Sequence, residues 1–265
     1  MHILRFMDDT NEVCYGTDFR EDRALLLSGD LFTGFHKTGE VIKVKKILSP
    51  VTPPAVFCIG INYRAHAAET GMQLPDYPVV FMKNPASVIG HRMPIVLPAS
   101  CRDPLQVDYE VELAVIIGKS AKNVPVEKAL DHVAGYAVAN DVSARTWQAN
   151  AGARQWIRGK SFDTFCPLGP MLVTPEDVPD PDKLAIRCVL NGQVMQDSNT
   201  SDMIFSTREL ISYLSEDTTL LPGTVILTGT PSGVGFTRNP PVFLKPGDEL
   251  EMTIEGLGTL INTVQ

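Results

Sequence analysis

The 265-residue chain lacks several features that would assign it to a specialised class of protein. No apolar run reaches the roughly 20 residues that a membrane-spanning helix needs, so no membrane partner is expected. The first residues, from Met1 to Asp9, show neither the apolar core of a signal peptide nor an arginine-rich transit sequence. We therefore expect a cytoplasmic protein, with the mitochondrial matrix as the alternative if the source is eukaryotic.

Positive charge is also in short supply, because 31 acidic residues outnumber 23 lysines and arginines and give a net charge of −8. This balance argues against binding to nucleic acid. The five cysteines are odd in number, and none is spaced as Cys-x-x-Cys. They therefore indicate reduced thiols and predict neither a disulfide framework nor a zinc site.

What the sequence does contain indicates a mainly β (α+β) fold. Hydrophobic residues make up 44% of the chain, which is enough to bury a substantial core, and 20 prolines and 20 glycines indicate many turns. Short apolar runs between turn residues predict strands, and strands and helices do not alternate regularly. We expect a rolled or barrel-like sheet with helices on its outside.

The proline-rich segment at 49–54 predicts a division between a small N-terminal β subdomain at 1–50 and a main domain at 55–265. Asn191-Gly192 predicts a hairpin turn. Strands of the main domain are predicted at Val56–Ile59, Val79–Phe81, Ile95–Leu97, Leu184–Leu190, Val225–Leu227 and Glu249–Ile254. Helices are predicted at Asn62–Thr70, at Val126–Val133 and after the capping-box sequence that begins at Ser206.

Two glutamates are the strongest chemical signal in the chain. Glu110 and Glu112 lie in the β-branched, apolar run Tyr109–Ile117, which predicts a strand. Side chains two residues apart on a strand share a face, so these carboxylates repel each other unless a partner separates them. Asp141 ends a second apolar run and supplies a third carboxylate. A hard divalent cation with oxygen ligands would relieve the repulsion, and a solvent-facing strand with ordinary glutamates is the alternative.

A histidine and a glutamate follow the first strand of the main domain. His66 and Glu69 are three residues apart, which places them on one face of a helix. A carboxylate beside an imidazole orients the ring and raises its basicity, so the pair suits a general base for water. The alternative is an exposed ion pair on a loop helix.

Further polar residues follow the third carboxylate. Arg145 and Gln148 share one face of a predicted helix and could bind an anionic group, while Lys160 lies in an apolar loop where an ammonium suits an oxyanion or enolate. Surface salt bridges are the alternative for Arg145 and Lys160. Thr230 lies in the glycine-rich segment 228–235, which matches no phosphate-binding fingerprint. Its hydroxyl and backbone N–H groups could hold a carboxylate, and a simple tight turn is the alternative.

Taken in order, these segments resemble the fumarylacetoacetate hydrolase family. The resemblance covers roughly residue 56 to the C-terminus, and the short members with one catalytic domain are the most similar. It is carried by Gly-x-Asn-Tyr-x-x-His-x-x-Glu at 60–69, Asp-Tyr-Glu-Val-Glu at 108–112, Asp-Val-Ser-Ala-Arg at 141–145, Lys-Ser-Phe-Asp-Thr at 160–164 and Thr-Gly-Thr-Pro-x-Gly-Val-Gly at 228–235.

The resemblance implies a mixed β-sandwich roll, a homodimer, and one Mg²⁺ or Mn²⁺ per chain, a site that Ca²⁺ can also fill. It also implies a role for each candidate residue: metal ligands Glu110, Glu112 and Asp141, a water-activating pair His66 and Glu69 on a mobile lid, oxyanion or enolate stabilisers Lys160 and Gln148, and substrate contacts Arg145 and Thr230. Ile59 stands where the long fumarylacetoacetases supply a fourth carboxylate, so fumarylacetoacetate itself is not the expected substrate.

The implied chemistry is activation of a short 2-oxo acid. We first expect hydrolysis of a carbon–carbon bond in acylpyruvate-like 2,4-dioxo acids through a metal-bound enolate. The same enolate serves keto–enol tautomerisation or decarboxylation of oxaloacetate and related isomerisations, which form the first alternative. The second alternative is a non-catalytic metal-binding protein, which the presence of His66, Glu69 and Lys160 argues against.

Overall fold

The computed structural model describes residues 1–149 and 154–265. No helix in these ranges is both long enough and apolar enough to cross a membrane. The α-helices are α1 (Arg64–Thr70), α2 (Arg145–Ala149), α3 (Trp156–Lys160) and α4 (Thr207–Ser215). Short 3₁₀ turns lie at Pro85–Ser87, Ala99–Cys101, Val126–His132, Pro175–Asp177, Pro181–Lys183, Thr200–Asp202 and Gly235–Thr237.

Strands account for most of the regular structure. The strands of the first half are β1 (His2–Met7), β2 (Val13–Arg20), β3 (Arg23–Asp30), β4 (Gly34–Lys43), β5 (Lys46–Ile47), β6 (Val56–Gly60), β7 (Val79–Lys83), β8 (Val88–Ile89), β9 (Val107–Asp108) and β10 (Val111–Ile117). Those of the second half are β11 (Val133–Asn140), β12 (Ser143–Ala144), β13 (Cys166–Val173), β14 (Ala185–Leu190), β15 (Gln193–Asn199), β16 (Val225–Leu227), β17 (Glu249–Ile254) and β18 (Gly258–Thr263).

One large mixed sheet organises the molecule. Its strands follow the order β4-β3-β2-β1-β13-β11-β10-β16-β6-β7, with β5 beside β1 and β8 beside β13. Most neighbours are antiparallel, but β16 pairs with β6, and β13 with β8, in parallel. A four-stranded sheet, β15-β14-β17-β18, and a small β9–β12 pair complete the fold. The expected mainly β architecture with a mixed sheet is confirmed.

The N-terminal strands continue the large sheet. β1 pairs with β2 on one side and with β13 on the other, where His2 lies opposite Val173. These strands also bury a small apolar cluster of their own, made of Leu4, Phe6, Ala24 and Val44. The division of the chain at residues 50–55 stays a prediction.

β10 lies at the centre of the sheet and is buried along its whole length. Its residues alternate between two apolar clusters on opposite faces of the sheet, with Leu113 and Val115 in one and Ala114 and Ile116 in the other. The strand begins at Val111, so the prediction that it starts at Tyr109 is wrong by two residues. Apolar clusters therefore cover both faces of β10, and Glu110 lies just before its first residue.

Several local predictions agree with the structure. β16 and β17 have the predicted bounds, and Asn191 and Gly192, with φ of 51° and 78°, connect β14 to β15. α1 ends as predicted at Thr70, before Gly71 with its φ of 67°, but it begins at Arg64 and not at the predicted Asn62. Ser206 and Glu209 form the predicted capping box at the start of α4.

Two predicted elements do not form as expected. Residues 95–97 form no strand, and Ile95 makes an isolated bridge to Val264. Prolines at 94 and 98 flank this segment and lack the N–H groups that would extend the ladder. Residues 126–132 form a 3₁₀ helix instead of the expected α-helix.

Candidate active site

Three carboxylates meet at the ends of two neighbouring strands. β10 and β11 pair so that Val111 lies opposite Asn140, which brings the residues just outside the strands, Glu110 and Asp141, side by side. The backbone N–H of Asp141 donates to the carbonyl of Glu110 at 2.9 Å. Ligand oxygens of Glu110, Glu112 and Asp141 lie within 4.8 Å of one another, and all three residues are buried.

Basic side chains surround two of these carboxylates. Lys160 Nζ lies 2.7 Å from both Glu110 Oε2 and Asp141 Oδ2. Lys83 Nζ lies 2.6 Å from the other oxygen of Asp141, and Arg145 Nη1 lies 2.7 Å from Glu110 Oε1. Lys83 and Asp141 are fully buried, so this contact is a buried ion pair.

The two glutamates have opposite electrostatic environments. Burial raises the pKa of Glu110, but the charges of Lys160 and Arg145 outweigh this effect and lower it to about 2. Burial raises the pKa of Glu112 well above its usual value, and the nearby charges of Asp141 and Glu110 raise it further. Within the described residues, Glu112 accepts a hydrogen bond from Gly229 N at 2.7 Å and forms no ion pair. One carboxylate of the triad therefore lacks a cationic partner.

This donor set fits a divalent cation. Carboxylate oxygens are the ligands that hard divalent cations prefer. A cation bound by the three carboxylates would also give Glu112 the positively charged partner that it lacks. Glu110, Glu112 and Asp141 can hold such an ion, as expected. The choice of Mg²⁺ or Mn²⁺ stays a prediction.

The predicted histidine–glutamate pair forms on α1. His66 Nδ1 lies 3.1 Å from Glu69 Oε2, and Glu69 Oε1 accepts hydrogen bonds from Gly233 N and Thr237 Oγ1 at 2.9 Å each. Burial raises the pKa of Glu69, but these hydrogen bonds outweigh it and place the pKa below its usual value. Among the described residues, Nε2 of His66 has no protein hydrogen-bond partner. This nitrogen is thus available to a ligand.

Arg145 is held on several sides. Its Nε donates to Asp108 Oδ2 at 2.9 Å, Nη1 donates to Gln148 Oε1 at 2.9 Å, and the guanidinium lies 4.4 Å from the ring centre of Phe236. Nη2 lies 2.8 Å from Asp108 Oδ2, but the angle does not suit a hydrogen bond, so its N–H groups have no protein acceptor among the described residues. Arg145 is thus fixed in place at the wall of the cavity.

Thr230 makes structural hydrogen bonds within the protein. Its hydroxyl donates to Val111 O at 3.0 Å and accepts from Gln196 Nε2 at 2.8 Å. Gln196 also accepts from Val111 N at 3.0 Å, so these contacts fix the start of β10 beside Glu110. Thr230 can still touch a ligand, but its hydrogen already has an acceptor.

Most of the predicted residues line one cavity of about 390 Å³. The predicted residues that line it are His66, Glu110, Glu112, Arg145, Gln148, Lys160 and Thr230, and two further polar residues, Thr70 and Arg154, join them. Apolar walls come from Phe81, Trp156, Met72 and Phe236. Glu69 and Asp141 stand behind the lining, where they contact His66 and Lys160. The predicted roles of these residues stay predictions, but the fold brings them together.

Comparison with known proteins assigns the chain to a family. Residues 55–265 match the family described as "Fumarylacetoacetate (FAA) hydrolase C-terminal". The chain belongs to the fumarylacetoacetate hydrolase family. The expected resemblance is confirmed, and the chain is an enzyme of this family.

Relatives within the family are identical to this chain at about half of the aligned positions. A protein of Bos taurus named "Oxaloacetate tautomerase FAHD2A, mitochondrial" is 52% identical over 218 residues, which cover 82% of this chain and 68% of that protein. Its counterpart of the same name from Homo sapiens is 51% identical with the same coverage. These matches confirm the similarity to the fumarylacetoacetate hydrolase domain-containing protein 2 branch.

Solved structures share the fold over the whole chain. A 5-carboxymethyl-2-hydroxymuconate delta-isomerase from Mycobacterium smegmatis is 38% identical, with a TM-score of 0.86, and the match covers 100% of this chain and 99% of that one. The similarity of fold to this solved structure therefore extends to the N-terminal strands of the chain.

Several polar residues of the site are not among the sequence candidates, and Lys83, Asp108 and Gln196 directly contact those that are. Lys83 ends the apolar strand β7, and alternation places it on the face of Phe81, which lines the cavity. Asp108 lies two residues before Glu110, and that spacing could have indicated it. Gln196 gave no signal, because it lies in an ordinary hairpin strand far away in the sequence.

Proposed function

We propose that the protein is a keto–enol tautomerase of oxaloacetate or of a closely related 2-oxo dicarboxylic acid. The observation that carries the proposal is 52% identity, over 82% of this chain, to a protein named oxaloacetate tautomerase. The expectation of acylpyruvate cleavage has no comparable support among these relatives. Oxaloacetate tautomerisation, first considered as the alternative, therefore becomes the preferred function.

With a divalent cation held by the carboxylates, the charges of the cavity would suit a dianionic substrate. Arg145, Arg154 and Lys160 line the cavity together with Glu110 and Glu112, so a bound cation would leave it with excess positive charge. A substrate carboxylate beside the basic groups that line the cavity would form charge-assisted hydrogen bonds. Apolar walls at Phe81 and Trp156 exclude water around these contacts.

Tautomerisation moves one proton from carbon 3 to the oxygen on carbon 2. We assign proton removal to His66 Nε2, because Glu69 holds Nδ1 and thereby sets the tautomer that leaves Nε2 unprotonated. As the bond from carbon 3 to hydrogen breaks, its electron pair forms the double bond between carbons 2 and 3, and negative charge moves to the oxygen on carbon 2. That oxygen then takes a proton from the protonated His66, which completes the enol and regenerates the base. The Lys160 ammonium lines the same cavity and would stabilise that charge.

The carboxylates and Lys160 would have different tasks when a metal is bound. Glu110, Glu112 and Asp141 would hold the divalent cation, which when bound would supply Lewis acidity toward oxygens of the 2-oxo acid. Burial of Lys160 lowers its pKa, but the charges of Asp141 and Glu110 outweigh this and raise the pKa above its usual value. Lys160 therefore stays charged and acts as an electrostatic stabiliser, while His66 carries the proton.

The test is a comparison of substrates in the presence of Mg²⁺. Enol-to-keto conversion of oxaloacetate is followed by absorbance, and products from oxaloacetate and acetylpyruvate are identified by NMR. We expect faster tautomerisation without net formation of pyruvate. Lys160→Met should lose most of this acceleration, whereas Lys46→Met, at an exposed position of β5, should retain it. Cleavage of acetylpyruvate with oxaloacetate exchange at the buffer rate would overturn the proposal and restore hydrolysis.

Location and assembly stay proposals as well. Both relatives described above are named mitochondrial, which supports the matrix alternative for this chain. A homodimer is proposed from the family resemblance, and light scattering of the purified protein would test it.

A further inference from the structure

Residues 233–237 form a tight turn beside the cavity, which we name the latch turn. The carboxylate of Asp108, which is fully buried, accepts the backbone N–H groups of Gly235 and Phe236 at 2.8 and 3.0 Å. Gly233 has a φ of 100°, and a β-carbon there would lie 2.2 Å from Met195 O. The latch turn is therefore fixed from behind and requires glycine at its first position.

The front of the latch turn contacts α1. Gly233 N and Thr237 Oγ1 both donate to Glu69 Oε1, at 2.9 Å each. The other carboxylate oxygen, Oε2, lies 3.1 Å from His66 Nδ1. Because one carboxylate makes all three contacts, the orientation of His66 depends on the latch turn.

The hydroxyl of Thr237 has a second acceptor. Thr237 Oγ1 also lies 2.9 Å from Val234 O, and a hydroxyl carries one hydrogen, so it donates to Glu69 or to Val234 at any moment. When α1 moves away, the hydroxyl keeps Val234 O as its acceptor, and Gly233 N, whose bond to Glu69 is exposed to solvent, can donate to water instead. This arrangement lowers the free-energy cost of opening, which suits a segment that must admit substrate.

We propose that Thr237 is a positioning residue that holds α1 closed through Glu69 and thereby orients His66. Thr237 is not among the residues that line the cavity, so it acts on a ligand only through Glu69. The inference rests on the proposed role of His66 for its catalytic meaning. The contact itself does not depend on which 2-oxo acid reacts.

Hydrogen exchange in the metal-loaded protein without substrate tests the contact directly. Thr237→Val keeps the shape and removes the hydroxyl, so the amides of Arg64–Thr70 should exchange about three- to tenfold faster, because one hydrogen bond to a charged group is lost while Gly233 N remains. Exchange in β10 should not change. Thr237→Ser keeps the hydroxyl and should restore the original rate. The ¹⁵N resonances of the His66 ring should shift in the valine variant and return in the serine variant.

Two results would overturn the proposal. One is an unchanged exchange rate in Arg64–Thr70 of Thr237→Val, and the other is a serine variant that exchanges as fast as the valine variant. If Thr237→Val lowers the melting temperature, Thr237→Ala replaces it in the same comparison with serine. Since none of these measurements uses oxaloacetate, a failure of the proposed reaction and a failure of the latch would be seen separately.

Discussion

The two halves of the site differ in how firmly the fold holds them. The carboxylates lie at the ends of β10 and β11, in the centre of the large sheet, where every residue of β10 is buried. The proposed base, His66, lies on α1, a seven-residue helix in which His66 and Ala67 are the buried residues. Isolated helices shorter than about 12–15 residues are marginal, so α1 depends on its tertiary contacts. The half with the carboxylates is therefore preorganised, while the half with His66 is attached by a few hydrogen bonds.

The first prediction separates the halves by removing the base. His66→Ala should reduce the rate of oxaloacetate tautomerisation by about 10²–10⁴-fold, since a positioned general base contributes that much. Mg²⁺ affinity, measured by calorimetry, should hardly change, because the carboxylates belong to the other half. The matched control His36→Ala lies at an exposed position of β4 and should keep full activity. An unchanged rate in His66→Ala would mean that another group moves the proton.

The second prediction removes a buried charge from the preorganised half. Lys83→Met should lower the free energy of unfolding by about 1.5–3 kcal/mol in metal-free protein, because Asp141 loses one of its two buried ammonium partners and keeps Lys160. Urea denaturation measures this change. Added Mg²⁺ should recover part of the loss, because a cation beside Asp141 replaces the missing charge. A loss below about 1 kcal/mol, the range of exposed pairs, would contradict a structural role for Lys83.

The third prediction concerns metal binding. Glu112→Gln keeps the shape of the side chain but removes the charge, and it should weaken Mg²⁺ binding by more than the roughly 10–100-fold that outer-shell changes cause. Exchange of α1 amides should stay unchanged, which distinguishes the halves. Glu40→Gln, at an exposed position, is the control. If calorimetry gives the same Mg²⁺ affinity for both variants, the assignment of Glu112 as a metal ligand is wrong.

The smallest expected effect is a pH dependence of the attached half. Since the pKa of Glu69 is lowered in the folded protein, its contribution to closure is present above the usual carboxyl pKa and is lost as pH falls through the lowered value. Protection of Arg64–Thr70, corrected for intrinsic exchange, should therefore decrease in acid. Glu69→Gln should show weaker protection with no such pH dependence. Acid-independent protection in the original protein would contradict the hydrogen bonds assigned to this carboxylate.

The same contrast explains what the sequence could predict. Glu110, Glu112, His66 and Glu69 were found because spacing on a strand or a helix already indicates a shared face. Lys83 and Gln196 reach the site only through long-range pairing, which local spacing does not reveal. The wrong strand at 95–97 has a local cause, since prolines flank the segment, and Ile95 and Leu97 pack in the core without forming a ladder.

The mixed-sheet fold could be anticipated from the turn-rich, apolar pattern, but the strand order could not. β1 pairs with β13, and β10 with β16, across separations of more than 100 residues. Such pairings depend on the packing of the whole core.

The position of the tryptophans has an optical consequence. The chain has two tryptophans, and Trp156 lines the cavity while Trp147 lies next to Gln148 on α2. The ring of Trp156 lies so close to Gly60 that a β-carbon there would be 2.8 Å away. A ligand that fills the cavity therefore contacts one of two indole chromophores, and its arrival changes the polarity around that ring. Binding of a ligand in the cavity should therefore change the intrinsic tryptophan fluorescence of the unlabelled protein.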